Sequence, residues 1–120
     1  RPLPPELPLP WNGQDVLTWA GGKLRFVPVS GEGLQRSLLV DGLVWLKPRQ
    51  GGERLRRGAR RPCRSLRNLL QETGVPPWER RRLPLLWVNE RLAWVPGIGC
   101  DAEFACPSGE AGVLPIWEDD

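Results

Sequence analysis

Histidine is absent from this 120-residue sequence, and its absence excludes several classes of function. Without an imidazole there is no Ser-His-Asp triad and no Cys-His pair that could activate a nucleophile. The commonest protein ligand for transition metals is missing as well. Any catalytic site would have to be built from carboxylates, lysine or backbone groups alone. The sequence therefore favours a binding domain, and we predict that it contains no catalytic residue.

Cysteine is scarce, and its spacing suggests no pairing. The three cysteines, Cys63, Cys100 and Cys106, are odd in number and do not form a disulfide framework. Three scattered thiols without histidine do not complete the four tetrahedral ligands of a structural zinc. We therefore expect reduced thiols in a cytoplasmic protein, with no metal or cofactor bound by this chain.

Methionine and long apolar runs are also missing. A full-length translation product would normally begin with Met, whereas this sequence begins with Arg1, so we expect it to be a piece of a larger protein. No run of about 20 apolar residues is present, which predicts no transmembrane span. The first residues also lack the pattern of a signal peptide.

The sequence does contain a strongly uneven distribution of charge. Between Lys47 and Arg82 there are twelve basic and three acidic residues, whereas the remainder has five basic and eleven acidic ones. Repulsion within the basic segment costs stability unless a partner neutralises it. The pattern predicts a contact with nucleic acid.

Proline and turn residues divide the chain. Residues 1–15 begin with alternating proline and leucine and predict an extended arm or linker, so that residues 16–120 form the domain. Extended runs on both sides of Gly21-Gly22 predict one hairpin, and those around Asn89-Glu90 predict another. We also expect a buried strand over residues 43–46 and one around residues 98–104.

Two short helices are predicted between these strands. The first runs from Leu66 to Thr73, with Ser65 as N-cap, Gly74 at its end, and Leu66, Leu69 and Leu70 on one buried face. A second helical turn follows Pro76-Pro77. The order of strands, helices and strands predicts an α+β domain with two short helices packed on strands.

The glycine- and arginine-rich loop after residue 50 is the strongest functional signal. Gly51 and Gly52 would let the backbone approach a phosphate and expose its N–H groups, and arginine binds phosphate oxygens through two parallel hydrogen bonds. The alternative is a solvated loop whose arginines pair with Glu53 or Glu72. The loop lacks the Gly-Lys-Ser/Thr ending of a nucleotide-binding P-loop.

Aromatic and acidic residues could form further sites. Of the seven tryptophans, those in strand runs are expected in the core, and Trp78 is the one we expect at the surface, where it could stack on a base. Asp101 and Glu103 are spaced to share one face of a strand, and we expect both to be exposed rather than paired in an apolar cleft.

Three sequence runs and their spacing are specific enough to suggest a family. These are RQGGER (residues 49–54), RSLRNLLQE (residues 64–72) and GVPPWERRRLPLL (residues 74–86), followed by Gly97-Ile98-Gly99 and Asp101-Ala102. Together they resemble the C-terminal domain of bacterial tRNA(Ile)-lysidine synthetase over roughly residues 40–117. The resemblance implies a layered β/β/α fold, similar to a domain of the phenylalanyl-tRNA synthetase β-subunit.

The resemblance also implies a function for the larger protein. The family enzyme converts the wobble cytidine of tRNA(Ile) to lysidine with ATP and Mg²⁺, chemistry that belongs to an N-terminal catalytic domain. Its C-terminal domain binds the acceptor stem of tRNA(Ile). The positions expected to contact RNA here are Arg49, Arg54, Arg64, Arg67, Arg80 and Arg82.

A different class of function stays open from the sequence. The arginine-rich face could instead meet an acidic surface of the enzyme's own N-terminal domain or of a second subunit in a homodimer. Arg80 could also play a structural part, by joining the two helical pieces through a carbonyl or Glu72.

Overall fold

Short strands make up much of the domain. The computed structural model describes residues 2–119. Within that range the strands are β1 (Leu9–Trp11), β2 (Val16–Trp19), β3 (Gly22–Ser30), β4 (Leu34–Gln35), β5 (Val44–Lys47), β6 (Arg54–Leu55), β7 (Arg64–Ser65), β8 (Leu85–Val88), β9 (Arg91–Val95), β10 (Gly99–Cys100) and β11 (Ala111–Glu118). The helices are α1 (Arg36–Asp41), α2 (Leu66–Glu72) and α3 (Pro77–Arg80), with a 3₁₀ turn at Ala102–Phe104.

Turn geometry explains the first hairpin, in which β2 and β3 pair across Ala20-Gly21. Both turn residues have positive φ, 47° and 82°, as a tight turn that matches the strand twist requires. The glycine that follows, Gly22, is needed for close packing, because a Cβ atom there would lie 2.5 Å from the Trp117 ring.

The strands form two antiparallel sheets and a small ribbon. The central sheet has the order β1-β5-β8-β9-β10, and the outer sheet has the order β2-β3-β11-β4. The pairing of β11 with β3 extends from Ala111 opposite Ser30 to Glu118 opposite Lys23. Within the described residues, strands β6 and β7 pair only with each other. This ribbon leads directly into α2.

Two hydrophobic cores lie on opposite faces of the central sheet. One fills the space between the two sheets, where Leu24 and Phe26 of the outer sheet meet Leu46 and Leu86 of the central sheet. The other lies beneath α2. Its members are Leu55, Leu66, Leu69, Leu70, Leu83, Leu85, Leu92, Val95 and Ile98. The predicted α+β fold with β/β/α layers is therefore confirmed.

Several elements differ from the sequence prediction. Residues 9–11, within the predicted arm, form an edge strand on β5. Leu43 was expected in a buried strand but is 66% exposed, because it precedes β5. The strand expected around residues 98–104 is reduced to β10 and the 3₁₀ turn.

Candidate nucleic-acid interface

The basic segment leaves the central sheet at Lys47 and reaches the β6–β7 ribbon. Arg54 lies opposite Ser65, and Leu55 lies opposite Arg64. Leu55 is fully buried, so Arg54 faces solvent, since side chains alternate along a strand. The Arg54 guanidinium is exposed and donates to the Cys63 carbonyl oxygen at 2.9 Å. That contact holds the side chain against the ribbon and leaves most of its donors available.

Helix α2 presents the next cation. The Asn68 N–H donates to Ser65 Oγ at 3.2 Å, which confirms Ser65 as the N-cap. Because Leu66, Leu69 and Leu70 are buried in the core beneath the helix, Arg67 lies on its exposed face. It has no hydrogen bond through its side chain and no ion pair to any residue from 2 to 119.

Asp101 fixes the base of the arginine-rich loop. Its carboxylate accepts the backbone N–H of Arg56 at 2.9 Å and that of Glu103 at 3.0 Å. The Ala102 N–H donates in turn to the Arg56 carbonyl at 2.8 Å. Asp101 is buried, so the expectation of exposure was wrong for this residue. The four loop arginines above this anchor are all exposed: Arg56, Arg57, Arg60 and Arg61.

Glu53 occupies the backbone site that the sequence suggested for a phosphate. It is buried, and its carboxylate accepts the N–H of Gln50 at 2.7 Å and the N–H of Gly51 at 3.0 Å. The positive φ angles of Gly51 and Gly52, 99° and 82°, allow the loop to fold back over that carboxylate. The prediction that Gly51 exposes its N–H to a phosphate was therefore wrong, because the chain supplies its own anion there.

Arg64 and Glu72 form an exposed pair beside α2. Two parallel hydrogen bonds join the guanidinium to the carboxylate, at 2.6 and 2.9 Å. The hydrogen bond from Arg64 holds the pKa of Glu72 below its ordinary value, and nearby Arg57 adds a smaller electrostatic contribution. Glu72 raises the pKa of Arg64 correspondingly. A phosphate that reached Arg64 would have to compete with this carboxylate.

A second cluster of cations lines a shallow cleft, called here the Arg49 cleft. It measures about 320 Å³ and is lined by Arg49, Gln50, Gly51, Pro77, Arg80 and Arg81. The Arg80 Nε donates to the Val75 carbonyl at 2.8 Å, which fixes the guanidinium and agrees with the structural role left open for it. Arg49 Nε is buried without a hydrogen-bond partner among residues 2–119 and lies 3.9 Å from a Glu53 carboxylate oxygen.

Arg82 is buried and fully engaged inside the domain. Its guanidinium donates to the Asp119 carboxylate and to the Ala20 carbonyl, each at 2.6 Å, and to the Pro2 carbonyl at 3.4 Å. The Asp119 hydrogen bond raises the pKa of Arg82. With 4% of its surface exposed, Arg82 is not available as a surface cation.

Comparison with known proteins adds the family. Residues 44–117 match the family described as the TilS substrate C-terminal domain. The chain belongs to this family. It is 48% identical over 115 residues to the tRNA(Ile)-lysidine synthase of Aromatoleum aromaticum, covering 95% of this chain and 27% of that protein. It is 45% identical over 107 residues to the Azoarcus protein of the same name, covering 89% of this chain and 23% of that protein.

A more distant relative shows the same partial coverage. The tRNA(Ile)-lysidine synthase of Nitrosomonas europaea is 36% identical over 115 residues, which cover 94% of this chain and 25% of that protein. The chain therefore spans about a quarter of the length of these curated relatives.

Five of the six arginines predicted for RNA contact remain candidates in this family member. Arg54 and Arg67 are exposed, Arg64 is partly exposed but paired, and Arg49 and Arg80 line the cleft. Prediction from sequence omitted Arg81, the exposed wall of that cleft. Its position after Pro76-Pro77-Trp78 could have indicated it, because the helical turn there is too short to bury every basic side chain.

Within residues 2–119, no group of three His, Cys, Asp or Glu side chains is placed to hold an ion. Nor does any helix in this range have the length and apolar character needed to cross a membrane.

Proposed function

We propose that this domain binds tRNA, contacting the acceptor stem of tRNA(Ile) through its arginine-rich face. One observation carries the proposal: seven exposed arginines of the basic segment form no ion pair with any carboxylate in residues 2–119. They are Arg54, Arg56, Arg57, Arg60, Arg61, Arg67 and Arg81. Unneutralised charge of this density destabilises the free domain and favours a polyanionic partner.

The arrangement suits recognition of the backbone and shape of helical RNA better than recognition of a base sequence. A-form RNA presents its backbone and shape, while side chains cannot read its deep, narrow major groove. Six of these arginines lie on the ribbon, the loop and the exposed face of α2, and Arg81 is the C-cap of α3. No helix within residues 2–119 is longer than seven residues. The relatives' name, tRNA(Ile)-lysidine synthase, supports tRNA as that RNA.

The chemistry of the larger enzyme is proposed to lie outside this chain. Lysidine formation from ATP, with Mg²⁺, needs a triphosphate site, and the glycine loop here is closed by Glu53. The domain would then position tRNA for the N-terminal catalytic domain in the cytoplasm. We expect the purified chain to transfer no lysine to tRNA. ATP-dependent lysine incorporation by this chain alone would contradict the proposal that catalysis lies outside it.

A salt titration tests the RNA-binding proposal. If about five phosphates are neutralised, the logarithm of the association constant should fall with that of the salt concentration, with a slope on the order of −4 by analogy with duplex DNA. Arg67→Ala should flatten the slope by about one unit. Arg91→Ala is the matched control, since Arg91 is exposed, pairs with Glu103 and lies outside the basic segment.

The alternative is a dimerisation or docking domain without RNA contact, and the same samples distinguish it. Sedimentation across the salt series would then show self-association while tRNA binding is absent. A flat salt response, or equal effects of Arg67→Ala and Arg91→Ala, would also contradict the proposed interface.

A further inference from the structure

Two adjoining clefts differ in chemistry and share a wall. The first, called here the Trp78 cleft, measures about 500 Å³ and is lined by Leu3, Pro77, Trp78, Arg81 and Arg82. The second is the Arg49 cleft, of about 320 Å³. Pro77 and Arg81 line both. The largely apolar Trp78 cleft therefore lies directly beside the cationic Arg49 cleft.

Trp78 is unusual among the tryptophans of residues 2–119. Its side chain is 69% exposed and belongs to neither hydrophobic core, whereas the other tryptophans are buried or half-buried. A large exposed ring next to other apolar groups is typical of a contact surface. Indole faces bind the flat faces of bases irrespective of sequence. Trp78 therefore offers a stacking surface that the fold itself does not use.

The cations of the Arg49 cleft have donors available for a phosphate. Arg80 is held by its Nε hydrogen bond to Val75, which leaves its two terminal nitrogens without a partner in residues 2–119. Arg81 is exposed and carries no ion pair in that range. Arg49 lines the cleft with 21% of its side chain exposed. Its Nε is buried and has no hydrogen-bond partner among residues 2–119, because the Glu53 carboxylate is directed to the N–H groups of Gln50 and Gly51. Two planar guanidinium groups with open donors can bind a phosphate through paired hydrogen bonds.

We propose that these two clefts bind a single-stranded nucleotide of the RNA, with its base stacked on Trp78 and its phosphate held by Arg49, Arg80 and Arg81. The apolar ring of Trp78 is complementary to a base, and the adjoining cationic cleft is complementary to the phosphate of the same nucleotide. A base within a duplex is paired and stacked on its neighbours, so only an unpaired nucleotide can present its face to Trp78. This inference rests on the proposed function and specifies a single-stranded feature beside the helical one.

The experiment compares two RNA hairpins that differ only in an unpaired extension. One has a blunt end, and the other carries four unpaired nucleotides at its 3′ end, including a fluorescent 2-aminopurine whose emission falls on stacking. The parent chain should bind the extended hairpin more tightly by about 5- to 150-fold, the range given by stacking of one base on an aromatic side chain. The emission should decrease on binding.

Four variants identify which side chains cause the tighter binding of the extended hairpin, called here the gain. Trp78→Ala should remove both the gain and the fluorescence decrease, whereas Trp78→Phe should retain most of each. Leu43→Ala is the control, because Leu43 is 66% exposed and lines neither cleft. Arg49→Gln should reduce the gain while leaving the 2-aminopurine able to stack. Thermal melts verify that the exposed Trp78 can be replaced without unfolding the domain.

The outcomes separate this inference from the proposed function. Equal parent affinity for the two hairpins, or a gain that survives Trp78→Ala, overturns the nucleotide site but leaves helical RNA binding intact. Failure to bind either hairpin or tRNA overturns both. If Trp78→Ala abolishes self-association while the gain persists, the surface binds protein and the inference is wrong.

Discussion

Replacing Glu72 by glutamine should strengthen RNA binding, because it frees a cation on the proposed interface. Glu72 now accepts two hydrogen bonds from Arg64 and is one of three acidic residues in the basic segment. Glutamine keeps the size of the side chain but removes the charge that competes with phosphate. If Arg64 then contacts one additional phosphate, the salt slope should become about 0.9 more negative, taking the value for duplex DNA.

The size of the effect follows from that slope. Between 50 and 200 mM salt, one additional contact makes the variant lose about 3.5-fold more affinity than the parent loses. At the lower salt concentration the variant should therefore bind more tightly than the parent by several-fold. Fluorescence anisotropy with labelled tRNA(Ile) at four or more salt concentrations measures both quantities.

Two further variants test the reasoning. Glu90→Gln removes the same charge from the exposed β8–β9 turn, so it should change affinity little and leave the slope unchanged. Adding Glu72→Gln to an Arg64→Gln background should give no gain, since a double-mutant cycle isolates the coupling between the two residues. If Glu72→Gln and Glu90→Gln behave alike, Arg64 does not contact the RNA.

The remaining predictions concern stability. The pKa of Glu72 is lowered in the folded domain. The stability contributed by its pair with Arg64 is therefore present above the ordinary carboxyl pKa and is lost as pH falls through the lowered pKa. The difference in Tm between the parent and Glu72→Gln should narrow in acid. Leu69→Ala should lower the free energy of unfolding by roughly 2–5 kcal/mol, because Leu69 is 1% exposed, and an unchanged urea midpoint would contradict its place in the core. Arg82→Ala should lower the free energy of unfolding by roughly 3 kcal/mol, because it removes the buried hydrogen bonds from Arg82 to Asp119 and to the Ala20 carbonyl. The salt slope for RNA binding should stay unchanged, and a flatter slope at unchanged stability would show that Arg82 contacts the RNA.

Elements set by local signals could be predicted from the sequence. Helix α2 is indicated by its N-cap Ser65 and by the spacing of its three buried leucines. The β8–β9 turn is indicated by Asn89, which has a φ of 55°. Helix α1 carries no such signal, because Gln35 makes no side-chain cap and no acidic residue occupies the first turn. Its formation depends on tertiary packing of Leu39.

Strand β11 shows the limit of local patterns. Gly112 and Pro115 make the segment look like a loop, since both residues are disfavoured within strands. Its pairing with β3 joins residues more than 80 positions apart in sequence. The β4 partner reaches only Gly112 and Val113, so Pro115 lies where one edge of the strand makes no ladder bonds to β4. Long-range pairing of this kind leaves little trace in a short window of sequence.

The positive charge of the candidate site could be predicted from the sequence, but the exposure of its individual side chains could not. The excess of arginine located the surface, yet residue type alone could not separate Arg81, which is exposed, from Arg82, which is buried. That difference depends on Asp119 and Ala20, which are distant in sequence from Arg82. Glu53 likewise turns the glycine loop inward only because the fold brings its carboxylate beneath the Gln50 and Gly51 N–H groups.

The Arg82 guanidinium brings the two ends of the described chain to one place. It contacts the Pro2 carbonyl and the Asp119 carboxylate at the same time, so residues 2 and 119 are neighbours. Domains with adjacent ends can be circularly permuted or inserted into a host loop without disturbing their cores. A short linker from residue 119 to residue 2, with new ends opened in the exposed loop at residues 57–61, would give a permutant that keeps both cores and transfers the arginine-rich loop to its termini.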